Sequence, residues 1–76
     1  MKISKLNKVE SSNLDSVGYD EEDKVLTIKF NKGGVYNYYR VDKKIYDELM
    51  KAESKGKYFH KKVKGKFKYL KVDDLL

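Results

Sequence analysis

The chain has 76 residues, a net charge of +6 and no cysteine, and its seven tyrosines and three phenylalanines provide apolar area for a folded core. A chain of this length has room for one domain with a thin core, so we expect a single domain over residues 1–76 with its core at 9–72. Disulfides and thiolate metal sites are excluded, no apolar run is long enough to cross a bilayer, and the first nine residues lack the apolar stretch of a signal peptide. We therefore expect a cytoplasmic protein that does not contact the membrane.

Three strands in a meander are predicted for the first half of the chain. The segments 13–19 and 24–30 have the alternation of a strand, and the polar turn 20–23 lies between them. The segment 31–34 ends in two glycines, which reach positive φ without steric cost, so we expect a hairpin there. The return strand is predicted at 35–41.

In the second half of the chain the spacing of apolar residues changes to that of a helix. Asp42 is expected to cap the first helix with its carboxylate, and Ser54 to cap a second, shorter helix that ends at Gly65. Alternation returns at 66–72 and predicts a last strand, and 73–76 is expected to be a frayed tail. The predicted fold is α+β, a small antiparallel sheet of three to four strands packed against one or two short helices in the order β-β-β-α-α-β.

The residues do not indicate catalysis, a bound cofactor or a metal. The chain has one histidine, His60, and no cysteine, so it lacks the usual materials for a nucleophile–base pair. Lys61 and Lys62 follow His60 directly, and we expect its imidazole to lie on the surface or to contact a partner. The acidic turn 20–23 lacks the spacing and the glycine of a calcium loop, so no metal site is predicted.

The basic charge is concentrated near the C-terminal end of the chain. Residues 55–71 contain eight lysines and no acidic residue, so the rest of the chain has a net charge of −2. Repulsion within such a segment costs stability, and a polyanion would relieve it while releasing condensed counterions. We therefore predict an anion-binding surface, against the alternatives of a solvated lysine face and of a composition set by codon bias. Its predicted residues are Ser54, Lys55, Gly56, Lys57, His60, Lys61, Lys62, Lys64, Lys66 and Lys68.

The start of the second helix is part of this predicted surface. If Ser54 caps the helix, the N–H groups of the next three residues point outward, and a helix N-terminus attracts anions through such groups and its macrodipole. Gly56 would let a phosphate approach the backbone closely. The alternative is an ordinary turn between two helices with solvated lysines.

A group of tyrosines suggests a second kind of contact. Tyr36, Tyr38 and Arg40 fall on one face of the predicted strand 35–41, and Tyr39 falls on the other. Two tyrosines about 7 Å apart beside an arginine are typical of proteins that stack single-stranded RNA bases on a sheet. We predict that these three residues stack on bases or ribose. The alternative is that this face packs under the helices, and the sequence leaves open which face is exposed.

An ordered set of motifs runs along most of the chain: Ser11-Ser12-Asn13, Gly18-Tyr19-Asp20, Leu26 to Phe30, Gly33 to Tyr38, Val41, Ile45-Tyr46, Leu49 and Ala52 to Phe59. Together these motifs resemble the KTSC domain family. The family's hallmarks are a Tyr-x-Tyr pair, here Tyr36 and Tyr38, and a Ser-x-Gly motif, here Ser54 and Gly56. Members occur as C-terminal extensions of some lysyl-tRNA synthetases and as single small proteins of bacteria and phages. The resemblance covers 9–72, so it implies a stand-alone copy of the domain and RNA binding as its role.

Residue chemistry and the resemblance together predict a non-enzymatic module that binds RNA or another polyanion. Two alternatives stay open: a protein-interaction module, such as a phage-encoded factor that modifies a host machine by binding an acidic protein, and a pocket for a nucleotide or another small phosphorylated ligand. No cofactor is predicted, and the sequence does not set the oligomeric state. One residue departs from the family pattern, because Asp42 stands where proline is expected, but aspartate can also begin a helix.

Overall fold

The computed structural model of the chain describes residues 5–72, in which five antiparallel strands form one sheet and two helices pack against one of its faces. The elements are β1 (Asn7–Lys8), β2 (Leu14–Asp20), β3 (Val25–Phe30), β4 (Val35–Tyr38), α1 (Lys43–Lys51), α2 (Lys55–Lys62) and β5 (Tyr69–Lys71). The sheet has the order β1-β2-β3-β4-β5, so β1 and β5 are its edges. The predicted α+β class is confirmed, and β1 is a short additional strand. The tail predicted at 73–76 lies outside the described residues.

The two hairpin turns follow the predicted chemistry. Between β2 and β3, the Asp20 carboxylate accepts hydrogen bonds from the backbone N–H groups of Glu22 and Asp23, at 3.0 and 3.2 Å. Between β3 and β4, Gly33 and Gly34 have φ angles of 104° and 94°, which residues with a Cβ rarely adopt. Both turns therefore depend on the residue types that predicted them.

The core lies between one face of the sheet and the two helices. Leu26 and Ile28 of β3 are fully buried. They belong to one cluster with Leu49 of α1, Phe59 of α2 and Val63, the residue that follows α2. This packing decides which face of the meander lies beneath the helices. It also determines the environment of the tyrosines on β4.

The two helices begin in different ways. Asp42 precedes α1 as predicted, but its carboxylate makes no capping hydrogen bond and instead lies 3.2 Å from the Nζ of Lys24. The predicted capping role of the Asp42 side chain is therefore wrong. Ser54 does cap α2, because its Oγ accepts a hydrogen bond from the N–H of Lys57 at 3.3 Å. Gly65 has a φ of 76° just after α2, in keeping with a glycine that ends a helix.

Two strands are shorter than predicted. β4 stops at Tyr38, three residues early, because Arg40 adopts a φ of 60° that ends the extended backbone. β5 begins at Tyr69, three residues late, because Lys66 still belongs to the turn after α2, where its N–H bonds to the carbonyl of Val63 at 3.0 Å. Both differences affect residues that the sequence placed in the candidate site.

Candidate functional site

A cleft of about 610 Å³ opens between α2, the paired strands β4 and β5, and the turn that joins β3 to β4. Its size is within the range of about 300–1,000 Å³ that is usual for small-molecule sites. The lining residues are Asn13, Leu14, Phe30, Lys32, Gly33, Tyr36, Tyr38, Gly56, Phe59, His60, Lys64, Gly65 and Tyr69. None of these residues is acidic, so the cleft combines aromatic rings with lysines and one histidine.

Three tyrosine rings, here called the tyrosine cluster, form one wall of the cleft. Tyr36 and Tyr38 are stacked with ring centroids 6.5 Å apart, and Tyr69 lies 5.9 and 5.7 Å from them. Tyr69 joins the cluster because β5 pairs with β4 and places it opposite Tyr38. Phe59 of α2 meets Tyr38 edge to face at 5.5 Å, and Phe30 of β3 meets Tyr36 in the same way at 5.7 Å. Aromatic pairs at such distances and angles stabilise each other, so the wall is held in place.

The three tyrosines differ in exposure, and this corrects the prediction for Tyr38. Tyr38 is 6% exposed, because Tyr36, Tyr69 and Phe59 surround its ring. Burial, together with the neighbouring hydroxyls of Tyr36 and Tyr69, raises the pKa of Tyr38 to about 12. Too little of this ring is exposed for it to stack on a base, so Tyr38 instead packs against the rings of Tyr36 and Tyr69 and supports them. Tyr69, which is 60% exposed, and the half-buried Tyr36 face the cleft.

Arg40 does not lie beside the tyrosine cluster. The prediction assumed that the strand continued to residue 41, but the alternation of faces ends with β4 at Tyr38. The exposed Arg40 is absent from the residues that line the cleft. Its predicted position beside Tyr36 is therefore wrong.

The basic groups of the cleft come from other positions. Lys32 lies in the turn after β3, His60 lies in α2, and Lys64 lies in the turn that follows α2. The ring of His60 packs edge-on against Phe59 at 5.8 Å. His60 and Lys64 belong to the predicted site, whereas Lys32 does not.

Three exposed lysines, Lys57 and Lys61 of α2 and Lys64 of the turn that follows it, are here called the α2 lysine stripe. A spacing of four residues places Lys57 and Lys61 next to one another along the helix, and Lys64 lies two residues after the helix ends. Among the described residues, no carboxylate lies within 4.0 Å of these ammonium groups. Ion pairs elsewhere in residues 5–72 include those of Lys8 with Asp15, Lys24 with Asp42 and Lys43 with Glu21. Lys64 belongs to both the stripe and the cleft.

The other lysines of the predicted surface do not join this stripe. Lys55 donates a hydrogen bond to the carbonyl of Ala52 at 3.2 Å, and helix geometry places Lys62 about 100° around α2 from Lys61. Lys66 and Lys68 are exposed but precede β5, so the strand predicted to begin at residue 66 does not include them. The predicted basic surface therefore divides into the stripe and separate flanking lysines.

Gly56 is covered by Asn13. A Cβ atom at position 56 would lie 2.5 Å from the Nδ2 atom of Asn13, closer than real Cβ contacts allow. The expectation that a phosphate approaches the backbone at Gly56 is wrong, since the Asn13 amide occupies that space. The glycine is needed instead for the packing of α2 against the loop before β2.

The sequence did not reveal Asn13, Lys32 and Tyr69 as residues of the cleft. The alternation at 66–72 predicted a strand that contains Tyr69, but the strand with which it pairs is set by the tertiary structure. Nothing in the local sequence marks Asn13, which reaches the cleft because α2 packs on its loop.

Fold and site define a small α+β domain with an open cleft lined by aromatic and basic side chains. The chain belongs to the KTSC domain family, whose model matches residues 10–67, and this confirms the resemblance noted in the sequence. Within residues 5–72 there is no cluster of three or more histidine, aspartate or glutamate side chains that could hold a metal ion. No helix in that range is long and apolar enough to cross a membrane.

Relatives include both short proteins and parts of longer ones. The crystal structure of a KTSC domain protein from Yersinia pestis matches with a TM-score of 0.88 at 36% identity, covering 91% of this chain and 97% of that one. A protein of Tsukamurella paurometabola is 36% identical over 63 residues, which are 83% of this chain and 94% of that protein. A lysine–tRNA ligase of Trichormus variabilis is 45% identical over 64 residues, which are 84% of this chain. The chain thus spans only 11% of the length of the ligases it matches.

Proposed function

We propose that the chain is a non-enzymatic RNA-binding module that holds phosphates on the α2 lysine stripe and stacks RNA on the exposed part of the tyrosine cluster. The observation that carries this proposal is the continuity of the two surfaces. Lys64 belongs to both, and no acidic residue lines the cleft between them. A strand lying along α2 would therefore meet ammonium groups and aromatic rings side by side.

The energetics favour a polyanion as the ligand. The three lysines of the stripe repel one another, and no carboxylate among the described residues offsets them. Phosphates that neutralise them also release condensed counterions. Stacking on a ring such as Tyr69 contributes about 1–3 kcal/mol per base, whichever base it is.

The choice of RNA is supported by the relatives. Three of them are named lysine–tRNA ligase, so a similar sequence occurs in proteins whose names include a tRNA. We extend that ligand class to this chain, and we place the module in the cytoplasm, where such RNA is found.

The proposal includes the absence of catalysis. A nucleophile–base pair needs a hydroxyl or thiol in contact with a base that a third group orients. The chain has no cysteine, and its one histidine, His60, packs on Phe59. Among the described residues, no hydroxyl or carboxylate side chain forms a hydrogen bond with His60. Binding is therefore the activity that these residues support.

A salt titration tests the proposal. Binding of a fluorescein-labelled single-stranded RNA is measured by anisotropy at increasing salt, for the wild-type chain and for a variant with Lys57→Gln, Lys61→Gln and Lys64→Gln. Each neutralised phosphate of a single strand contributes about 0.7 to the slope of log K against log salt, so the variant should lose about 2 from that slope.

The matched control removes the same charge elsewhere on the surface, with Lys29→Gln, Lys44→Gln and Lys51→Gln. All three control lysines are exposed and lie outside the cleft and the stripe. The control should keep most of the wild-type salt dependence. Affinity that does not change with salt, or an equal loss in both variants, would contradict the proposal.

A free nucleotide is a second candidate ligand, and the cleft volume of about 610 Å³ favours it. A mononucleotide that binds the folded chain and not the unfolded chain would stabilise the folded state by about 2.7 kcal/mol at a concentration one hundred times its Kd. A thermal denaturation series with and without adenosine monophosphate separates this candidate from RNA binding, which predicts little stabilisation by the monomer.

The edge strand β5 favours a protein partner as an alternative. Tyr69 and Leu70 are the exposed large hydrophobic residues of the described chain, at 60% and 45%, and they lie on opposite faces of this strand. Aromatic residues often anchor interfaces, and the lysines would steer an acidic partner. A partner that stays bound after nuclease treatment would support this alternative over RNA.

A further inference from the structure

Asn13 presents its side-chain amide to the cleft from a backbone that is held by two hydrogen bonds. Its backbone N–H donates to the Oγ of Ser11 at 3.2 Å, and its carbonyl accepts from the N–H of Asn31 at 2.9 Å. Its side chain lies against Gly56 and lines the cleft. Within residues 5–72 the side-chain amide makes no hydrogen bond, so its NH₂ donor and its oxygen acceptor are both available to a ligand.

Tyr69 presents an aromatic ring to the same cleft. The ring is tilted against Tyr36 and Tyr38, with centroids 5.9 and 5.7 Å away, so it is held from one side. Its 60% exposure leaves the rest of the ring open to a partner. Lys32 and Lys64 add positive charge to the same cleft. One ring, one amide and two cations are therefore gathered in a space of molecular size.

We infer that the cleft accepts a single unpaired base of RNA, stacked on Tyr69 and hydrogen-bonded at its edge to the Asn13 amide. Lys32 and Lys64 meet the phosphates on either side of that base. This inference rests on the proposed RNA binding and makes it specific, because it names the recognised unit and the residue that reads it.

The chemistry of each partner fits this assignment. An asparagine amide offers a donor and an acceptor side by side, which matches the adjacent acceptor and donor on the edge of adenine. In a duplex the bases are stacked and paired, so they cannot enter a cleft in a protein surface without being unpaired first. The cleft therefore selects single-stranded RNA, and the amino group of adenine adds to its binding through a hydrogen bond to the Asn13 amide.

The test uses two labelled RNA strands of equal charge and of about eight nucleotides, within the range of about 4–16 nucleotides that such sites cover. One strand is abasic at every position, and the other carries one adenine at its centre. The wild-type chain should bind the strand with adenine about tenfold more tightly than the abasic strand. Tyr69→Ala should remove this gain without changing the affinity for the abasic strand. A strand with one unsubstituted purine, which lacks the amino group of adenine, measures the gain in affinity from that group, and Asn13→Ala should abolish this gain.

The matched control is Leu70→Ala, on the same strand but on the opposite face, which should behave as the wild-type chain. Equal, salt-dependent binding of the abasic and adenine strands would overturn the inference and leave the proposed function standing. Loss of the gain in Leu70→Ala as well would also overturn it, because the cleft would then not be the site. A gain that is the same for adenine and for the unsubstituted purine would overturn the hydrogen-bonding role of Asn13. Absence of binding to any RNA strand would overturn both the inference and the proposed function.

Discussion

Replacement of Gly56 by alanine probes the packing of α2 on the loop before β2. The new Cβ atom would lie 2.5 Å from Nδ2 of Asn13 and 3.3 Å from its Cβ and Cγ. The Asn13 amide must swing away and the loop must shift slightly, and such overpacking costs about 1–3 kcal/mol. Alanine in place of glycine stabilises a helix by at most about 1 kcal/mol, which offsets part of this cost. We therefore expect Gly56→Ala to lower the free energy of unfolding by about 1 kcal/mol.

A double-mutant cycle isolates the cause of this loss. In the Asn13→Ala background the amide is gone, so Gly56→Ala should be neutral or stabilising, and the coupling free energy between the two positions should be about 1 kcal/mol or more. Urea denaturation followed by far-UV circular dichroism gives the four free energies. An equal loss in both backgrounds would refute the reasoning, because the short distance to Asn13 would then not be the cause.

Two further predictions concern a helix cap and the tyrosine hydroxyls. Ser54→Ala should lower the free energy of unfolding by about 1 kcal/mol in the same assay, because the N–H of Lys57 loses its partner, whereas Ser54→Gly should cost only about a few tenths. Burial raises the pKa of Tyr38 to about 12, and burial with a hydrogen bond to Glu48 does the same for Tyr58. The unfolded chain releases these protons near pH 10, whereas the folded chain keeps them to about pH 12. The stability that the two protonated hydroxyls contribute should therefore be fully present below about pH 10 and be lost as the pH rises towards about 12. Burial also raises the pKa of Tyr19, so ultraviolet titration of tyrosinate should show three late hydroxyls. Tyr38→Phe should remove one of them and part of the loss of stability; an unchanged titration would contradict the burial of Tyr38.

Local patterns were sufficient for most of the architecture. Strict alternation predicted the meander, and two adjacent glycines predicted the hairpin that Gly33 and Gly34 form with positive φ. Ser54 was identified as a cap by its residue type, and its Oγ makes the expected bond. These features depend on a few neighbouring residues, so a single sequence reveals them.

Predictions that depended on where an element ends were less successful. The strand predicted at 35–41 stops at Tyr38, which removed Arg40 from the face of Tyr36. Asp42 stands before α1 but pairs with Lys24 from a distant turn instead of capping the helix. In each case the outcome was decided by the path of the backbone or by a partner far away in the chain.

The sequence by itself determined the order of the elements, the family and the concentration of lysines after residue 54, because residue type and spacing encode them directly. Only the tertiary structure decided that Tyr38 is buried, that Tyr69 completes the aromatic wall, and that Asn13 reaches the same cleft. The physical reason is that these contacts join segments far apart in the chain. They form when β5 pairs with β4 and α2 packs over the sheet, and no local pattern of residues records that geometry.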